Sequence, residues 1–246
     1  MTRKRLLIAG LAVMVTLAGV LEAQRRYYVE DEPNVPYDGR FTFIRLRYEG
    51  GNPRDPGWRH DYPRGERHFT KILSELSTVD ARTHESNILA LSDKEIFRYP
   101  VLYMSEPGYW RPSNADIGNL RNYLLKGGFL IFDDFTIDHA FYNLYDQIRR
   151  VFPDARIIDL DTSHPIFDSF YRIESLNYQH PVYGGPSKFQ AVFEENDPTK
   201  RMLMMLNTHN DLSEYWEFSD VGMFPIEASN EAYKLGINYI IYALTR

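Results

Sequence analysis

Asp133 and Asp134 stand together after a short apolar run, Phe129–Phe132, and the polar group His209-Asn210-Asp211 follows another such run, Met202–Leu206. Carboxylates delivered from two strand ends suit three kinds of chemistry. Asp134 and Asp211 serve as acid and base if their surroundings split their pKa values, with His60, His164 or His209 as an alternative base. Asp133, Asp134 and Asp211 also offer the oxygen ligands that Ca²⁺ or Mg²⁺ prefers. In the third reading the acids and Asn210 hydrogen-bond a polar ligand such as a sugar or cell-wall fragment, with Trp58, Tyr109, Trp110 and Trp216 as stacking faces. Tyr48 with Glu49, and Ser105 with Glu106, reach the same place if the runs before them are neighbouring strands. Trp58, His60 and Asp61 arrive from the loop dense in Gly and Pro at Glu49–His60 and its end.

Each residue has a structural role open to it as well. Adjacent strand residues point to opposite faces, so at most one of Asp133 and Asp134 is expected to face a cleft. Asn210 and Asp211 suit an Asx-turn, His164 before Pro165 a turn, and Trp58 an anchor that packs its loop on the body. The chain has no G-x-S-x-G elbow, no H-E-x-x-H helix and no EF-hand spacing. The sequence therefore assigns no metal set and no cofactor, leaves enzymatic activity open, and names a ligand-binding group: Tyr48, Trp58, His60, Asp61, Glu106, Asp133, Asp134, Asn210 and Asp211.

The elements that must carry these residues alternate between two periods. Leu120–Asp134 reads as a helix end, a Gly-Gly stop, a strand covered on both faces and the two carboxylates. Earlier, Arg40–Tyr48 alternates as a strand, Asp61 caps a helix with Pro63 in its first turn, and Phe69, Ile72, Leu73 and Leu76 form its buried face. A short strand is expected around Arg82–Glu85, a helical turn at Asp93–Phe97 and a buried strand at Pro100–Met104. Ser113 with Asp116 forms a capping box. His139–Phe152 is an amphipathic helix, and Arg156–Leu160 a fourth parallel strand. Phe170–Pro186 is irregular, Phe189–Phe193 and Met202–Leu206 are consecutive strands, and Tyr215–Phe224 is an aromatic, acidic loop. Glu227–Leu244 is the closing helix. Strands alternating with helices mean an α/β sandwich around a largely parallel sheet, whose ligands bind at the carboxyl ends of the strands.

Composition narrows the function. Of 246 residues 43% are apolar and 15% aromatic, enough for a full core, and the net charge is −6. An acidic chain without a long basic run is a poor candidate for phosphate-backbone binding, so nucleic acid is not an expected partner. The absence of cysteine removes disulfides, thiolate metal sites and a Cys nucleophile. Arg3-Lys4-Arg5, the apolar run Leu6–Val20 and Ala23 read as a signal peptide over residues 1–23, or an uncleaved anchor, with the folded part outside the cytoplasm. Residues 24–39 read as a linker or loosely attached arm and 40–246 as the domain.

The order Tyr48, Trp58, Asp61-Tyr62-Pro63, Tyr99-Pro100, Gly127-Gly128, Asp133-Asp134, His164-Pro165, Asn210-Asp211 and Tyr242–Arg246 resembles the DUF4159 family, a bacterial domain of unknown function, over about residues 40–246. That family is similar to the class I glutamine amidotransferase-like fold, which resembles flavodoxin. The resemblance implies a three-layer α/β sandwich, with Asp133 or Asp134 near the place where amidotransferases carry their Cys. With no Cys in the chain, glutaminase chemistry does not carry over. The expectation is an exported, non-catalytic ligand-binding or assembly component of the bacterial cell envelope, with a polar small molecule, a glycan or an envelope protein as partner. The alternative is a carboxylate- or metal-dependent hydrolase of a polar envelope substrate.

Overall fold

The computed structural model describes residues 31–51, 57–181 and 183–246, so the leader expected at 1–23 lies outside the described residues. Seven strands, β1 (Ile44–Arg47), β2 (Asn87–Ala90), β3 (Val101–Ser105), β4 (Phe129–Phe135), β5 (Ile158–Asp159), β6 (Lys188–Phe193) and β7 (Met202–Thr208), form one sheet in the order β2-β1-β3-β4-β7-β6-β5. The helices are α1 (Arg64–Leu76), α2 (Asn114–Leu125), α3 (His139–Val151), α4 (Leu212–Glu217) and α5 (Ile226–Thr245). Among the described residues no helix is long and apolar enough to cross a membrane.

Period-two alternation along β4 sets the layers. Phe129 and Ile131 face a core built with Phe69 and Leu73 of α1, Tyr215 and Trp216 of α4, and Leu235 and Tyr239 of α5. Leu130 and Phe132 face the opposite core, with Leu120 and Leu124 of α2 and Leu144, Ile148 and Val151 of α3. Covered on both sides, β4 is buried throughout, and truncating Leu130 to Ala would cost about 2–5 kcal/mol. The result is the expected three-layer sandwich.

The Gly-Gly stop behaves as its chemistry requires. Gly127 has φ +107°, a left-handed position that favours glycine. A Cβ on Gly128 would lie 2.3 Å from the Tyr123 ring, so helix α2 can turn into β4 only over a bare backbone. Ser113 and Asp116 form the capping box that opens α2.

Several expectations are corrected. Strands β1, β2, β3, β4 and β7 pair in parallel, but β5 pairs antiparallel with β6, and β6 antiparallel with β7. The short β6–β7 connection forces β6 to run backwards, and it lies between β7 and β5. Instead of a strand at Arg82–Glu85 there is a single bridge at Ala81 and a strand five residues later at Asn87–Ala90. Asp61 does not cap α1; Pro63 precedes the helix without a side-chain cap, and Leu76 at its end is exposed. The stretch after Tyr215 begins within helix α4 rather than as loop.

The arm is fastened where it meets β2. Asn34 Nδ2 donates to the Ile88 carbonyl and its Oδ1 accepts from Ile88 N, both at 2.8 Å. Asn87 returns the same pair of bonds to Val35, at 2.8 and 2.9 Å.

Candidate functional site

At the C-terminal edge of the parallel strands the backbone bends repeatedly. Asp61, Glu106, Asp134 and His209 all have positive φ, four of the six described non-glycine residues that do, and such strain collects at functional sites. At Asp134 (φ +59°) the pairing of β4 with β7 shifts register. That turn separates the two carboxylates.

Asp133 keeps the parity of Phe129 and Ile131 and points back into the fold. Its Oδ2 accepts from the Tyr103 hydroxyl at 2.8 Å and from the backbone N–H groups of Leu212 and Ser213 at 2.9 and 3.1 Å. It thus supports the start of α4. Burial, opposed by the Tyr103 hydrogen bond, pushes its carboxyl up to about 7. Asp133 is a supporting residue and not a rim ligand, which corrects its place in the expected cation set.

Asp134 turns onto the rim. Its Oδ2 accepts from Ser105 Oγ at 3.2 Å and lies 2.8 Å from His60 Nδ1, while the Tyr183 hydroxyl donates to Oδ1. Burial alone would raise this carboxyl, but His60, Tyr183 and Ser105 together hold it below its ordinary value. The same contact lifts the His60 imidazole from 6.5 to about 10. His60 is the accessible member of the group, its side chain 44% exposed.

Asp61 and Asp211 complete the group from either side of Ser213. Ser213 Oγ lies 2.5 Å from Asp61 Oδ2 and 3.0 Å from Asp211 Oδ1. One hydroxyl proton cannot serve both acceptors at full strength. Asp211 caps α4 by accepting from Glu214 N at 2.9 Å. Burial raises both acids; the neighbouring carboxylates add to it at Asp211, while at Asp61 His60 opposes it and Asp134 adds to it. Asp211 Oδ2 is buried without a hydrogen-bond donor, and the Glu217 carboxyl, pushed up to about 7 by burial and by Asp61, is in hydrogen-bond contact with Asp61. His60, Asp61, Asp134 and Asp211 each present one donor atom, and these four atoms lie within 4.8 Å of one another. These are the described residues able to hold a metal ion.

The remaining predicted residues are close by in other roles. Tyr48 donates its hydroxyl to the carbonyls of Ser105 and Glu106, at 3.0 and 2.6 Å. Asn210 accepts Asp134 N at 3.1 Å through its carbonyl, so it braces the turn. Trp58 packs with Tyr62 and Ile88, and Trp58, Trp110 and Trp216 are all buried; the expected stacking platform reduces to Tyr109, 53% exposed. His164 accepts from Ile166 N, the turn role open to it. Glu106, Gly108, Tyr109, Asp134, Thr136, Asp138, His139 and Tyr183 help to line an open pocket of about 370 Å³ beside the group. A larger hollow of about 430 Å³, lined by Leu125, Phe152 and Phe193, holds none of these residues.

Sequence reasoning missed the residues that fix the group: Arg45, Glu66, Tyr103, Tyr183 and Ser213. Buried Arg45 is paired with Glu66 of α1 and donates from Nη1 to the carbonyls of Trp58 and His60, at 3.0 and 2.7 Å. It thereby sets the position of the His60 backbone. Only the break in alternation at Arg45, a charge amid apolar strand residues, hinted at it. A family model described as a domain of unknown function, DUF4159, matches residues 42–244. No curated protein matches the chain.

Proposed function

Because the chain belongs to DUF4159, a family whose description assigns no activity, we propose a function from the rim itself: the domain binds an uncharged, hydroxyl-rich ligand of the glycan kind in the pocket beside Asp134. The pocket's chemistry carries this reading. Its wall presents the carboxylates of Glu106, Asp134 and Asp138 and the exposed ring of Tyr109. Carboxylates accept hydrogen bonds from hydroxyls and repel anions, while an aromatic ring gives a sugar face a dry surface. Among the described residues His139 is the one side chain in the wall that can carry positive charge, too little to favour a phosphate. The basic and then apolar pattern of Arg3–Val20 supports placing the domain outside the cytoplasm, as a component of the cell envelope.

Saturation-transfer NMR of the full chain with a soluble N-acetylglucosamine tetramer, set against inorganic phosphate, tests the reading. Transfer to the sugar that falls in Tyr109→Ala is expected. Transfer that is absent, or unchanged in that variant, overturns it.

Hydrolysis is the second reading, and one observation favours it. His60 is half-exposed with Nδ1 held by Asp134, whose carboxyl is lowered while that of Asp211 is raised. Such a split is how neighbouring acids take opposite roles. Release of reducing ends from the sugar by the wild type, lost in His60→Ala, would establish it.

A further inference from the structure

We propose that His60, Asp61, Asp134 and Asp211 form a binding site for one hard divalent cation of the Ca²⁺ or Mn²⁺ kind. The spread of their donor atoms, within 4.8 Å, matches the size of such an ion. Two oxygens on opposite sides of Ca²⁺ stand about 4.6–5.2 Å apart, and on Mg²⁺ about 4.0–4.2 Å. A spread of this size suits Ca²⁺, and a smaller ion after a slight contraction.

Charge points the same way. Three buried carboxylates meet one imidazole, the Glu217 carboxyl adjoins Asp61, and Arg45, the guanidinium that holds this loop, is committed to Glu66. A divalent ion would leave the three carboxylates nearly balanced, which a single imidazolium does not.

The independent observation is an orphaned oxygen. Asp211 Oδ2 is shut from water and receives no hydrogen bond, and an acceptor buried that way costs about 1–3 kcal/mol, more when charged. A cation supplies its missing partner. Ser213 Oγ orients both Asp61 and Asp211, and Glu214 N also holds Asp211, as metal ligands are commonly fixed by a surrounding layer of hydrogen bonds. The buried carboxylates close one side of the site and half-exposed His60 leaves the other open, so water or a ligand would complete the coordination there. An oxygen-rich set with one imidazole, in a chain without cysteine, selects hard ions over thiolate-seeking ones. None of this depends on what the neighbouring pocket binds.

Titration of the EDTA-stripped full chain with Mn²⁺, with free Mn²⁺ followed by electron paramagnetic resonance, tests the site. One bound Mn²⁺ per chain is expected, displaced by Ca²⁺. Affinity should fall at least about 10-fold in Asp211→Asn and in His60→Ala and stay unchanged in Asp168→Asn, whose carboxylate is exposed elsewhere. His60→Ala alters a half-exposed side chain and keeps the test decisive if Asp211→Asn fails to fold. A folded wild type that takes up no Mn²⁺, or a folded His60→Ala with wild-type affinity, overturns the proposal. Sugar binding in the same samples reads the pocket separately.

Discussion

Replacing Asp211 by Asn should stabilise the cation-free protein and at least halve the stabilisation that a cation gives. Asp211 is buried among Asp61, Asp133 and Asp134, and burial and those charges push its carboxyl well above 3.8. The folded chain at pH 7 either keeps an ill-solvated charge or holds a proton that the unfolded chain lacks. Protonation sets a ceiling on the cost: lifting a carboxyl of pKa 3.8 to pH 7 is worth about 4 kcal/mol. Asn keeps the contacts that matter for the fold. Its carbonyl can still accept from Glu214 N, now 2.9 Å from Oδ1, and Asn caps helices as well as Asp does. Its amide would replace Oδ2, which receives no donor, and would face carboxylates able to accept from it. A net gain of about 1–3 kcal/mol follows, below the ceiling, or roughly 3–10 °C in Tm for a chain of this size. With Mn²⁺ near 100 times its Kd the wild type gains about 2.7 kcal/mol, and a variant that binds about 10-fold more weakly gains at most about 1.4 kcal/mol, so the order of stability narrows or reverses. Differential scanning calorimetry of both proteins, in EDTA and in Mn²⁺, measures all four states. A variant less stable than wild type in EDTA, or one raised equally by Mn²⁺, refutes the reasoning.

Arg45→Met leaves Glu66 buried and unpaired and should cost about 3–5 kcal/mol in urea denaturation, with part recovered in Arg45→Met/Glu66→Leu; a double variant no better than the single one would count against it. His60 is raised from 6.5 to about 10, chiefly by its hydrogen bond to Asp134, so the stability it adds is complete below about pH 6.5 and lost as pH rises through about 10. Solvent screens a side chain this exposed, and the sign is the test: between about pH 6 and pH 10 the Tm of the wild type should fall more than that of His60→Ala. Gly128→Ala drives a Cβ to 2.3 Å from the Tyr123 ring and should cost about 1–3 kcal/mol, read as a lower urea midpoint with an unchanged slope.

How much of this was legible in the residues depends on how local each feature is. Phe129–Phe132 and Met202–Leu206 announce buried strands by themselves, and the rule that ligands gather at strand ends then finds Asp134 and Asp211 without any structure. The separate fates of Asp133 and Asp134 follow from parity plus one positive φ, and Asp tolerates that conformation without advertising it. Trp58, Trp110 and Trp216 misled because an aromatic in a polar segment does not say what will cover it. Arg45 showed only a faint sign of burial because its counter-charge, Glu66, sits on the following helix. Tyr183 lies in an irregular stretch with no period to read, and the reversal of β6 matters only once its place between β7 and β5 is known.

The four hydrogen bonds that the side-chain amides of Asn34 and Asn87 make along β2 bear on behaviour in concentrated solution. An outermost strand with spare N–H and C=O groups is a template on which a second molecule can extend the sheet. Asn34 imitates a neighbouring strand with its side chain alone, occupying both outward groups of Ile88, while Asn87 draws Val35 along the same margin. Two asparagines thus act as a decoy that ends the sheet. A chain trimmed past Val35 would keep its core and its carboxylate group but would expose a sticky border, and self-association through β2 would grow with concentration.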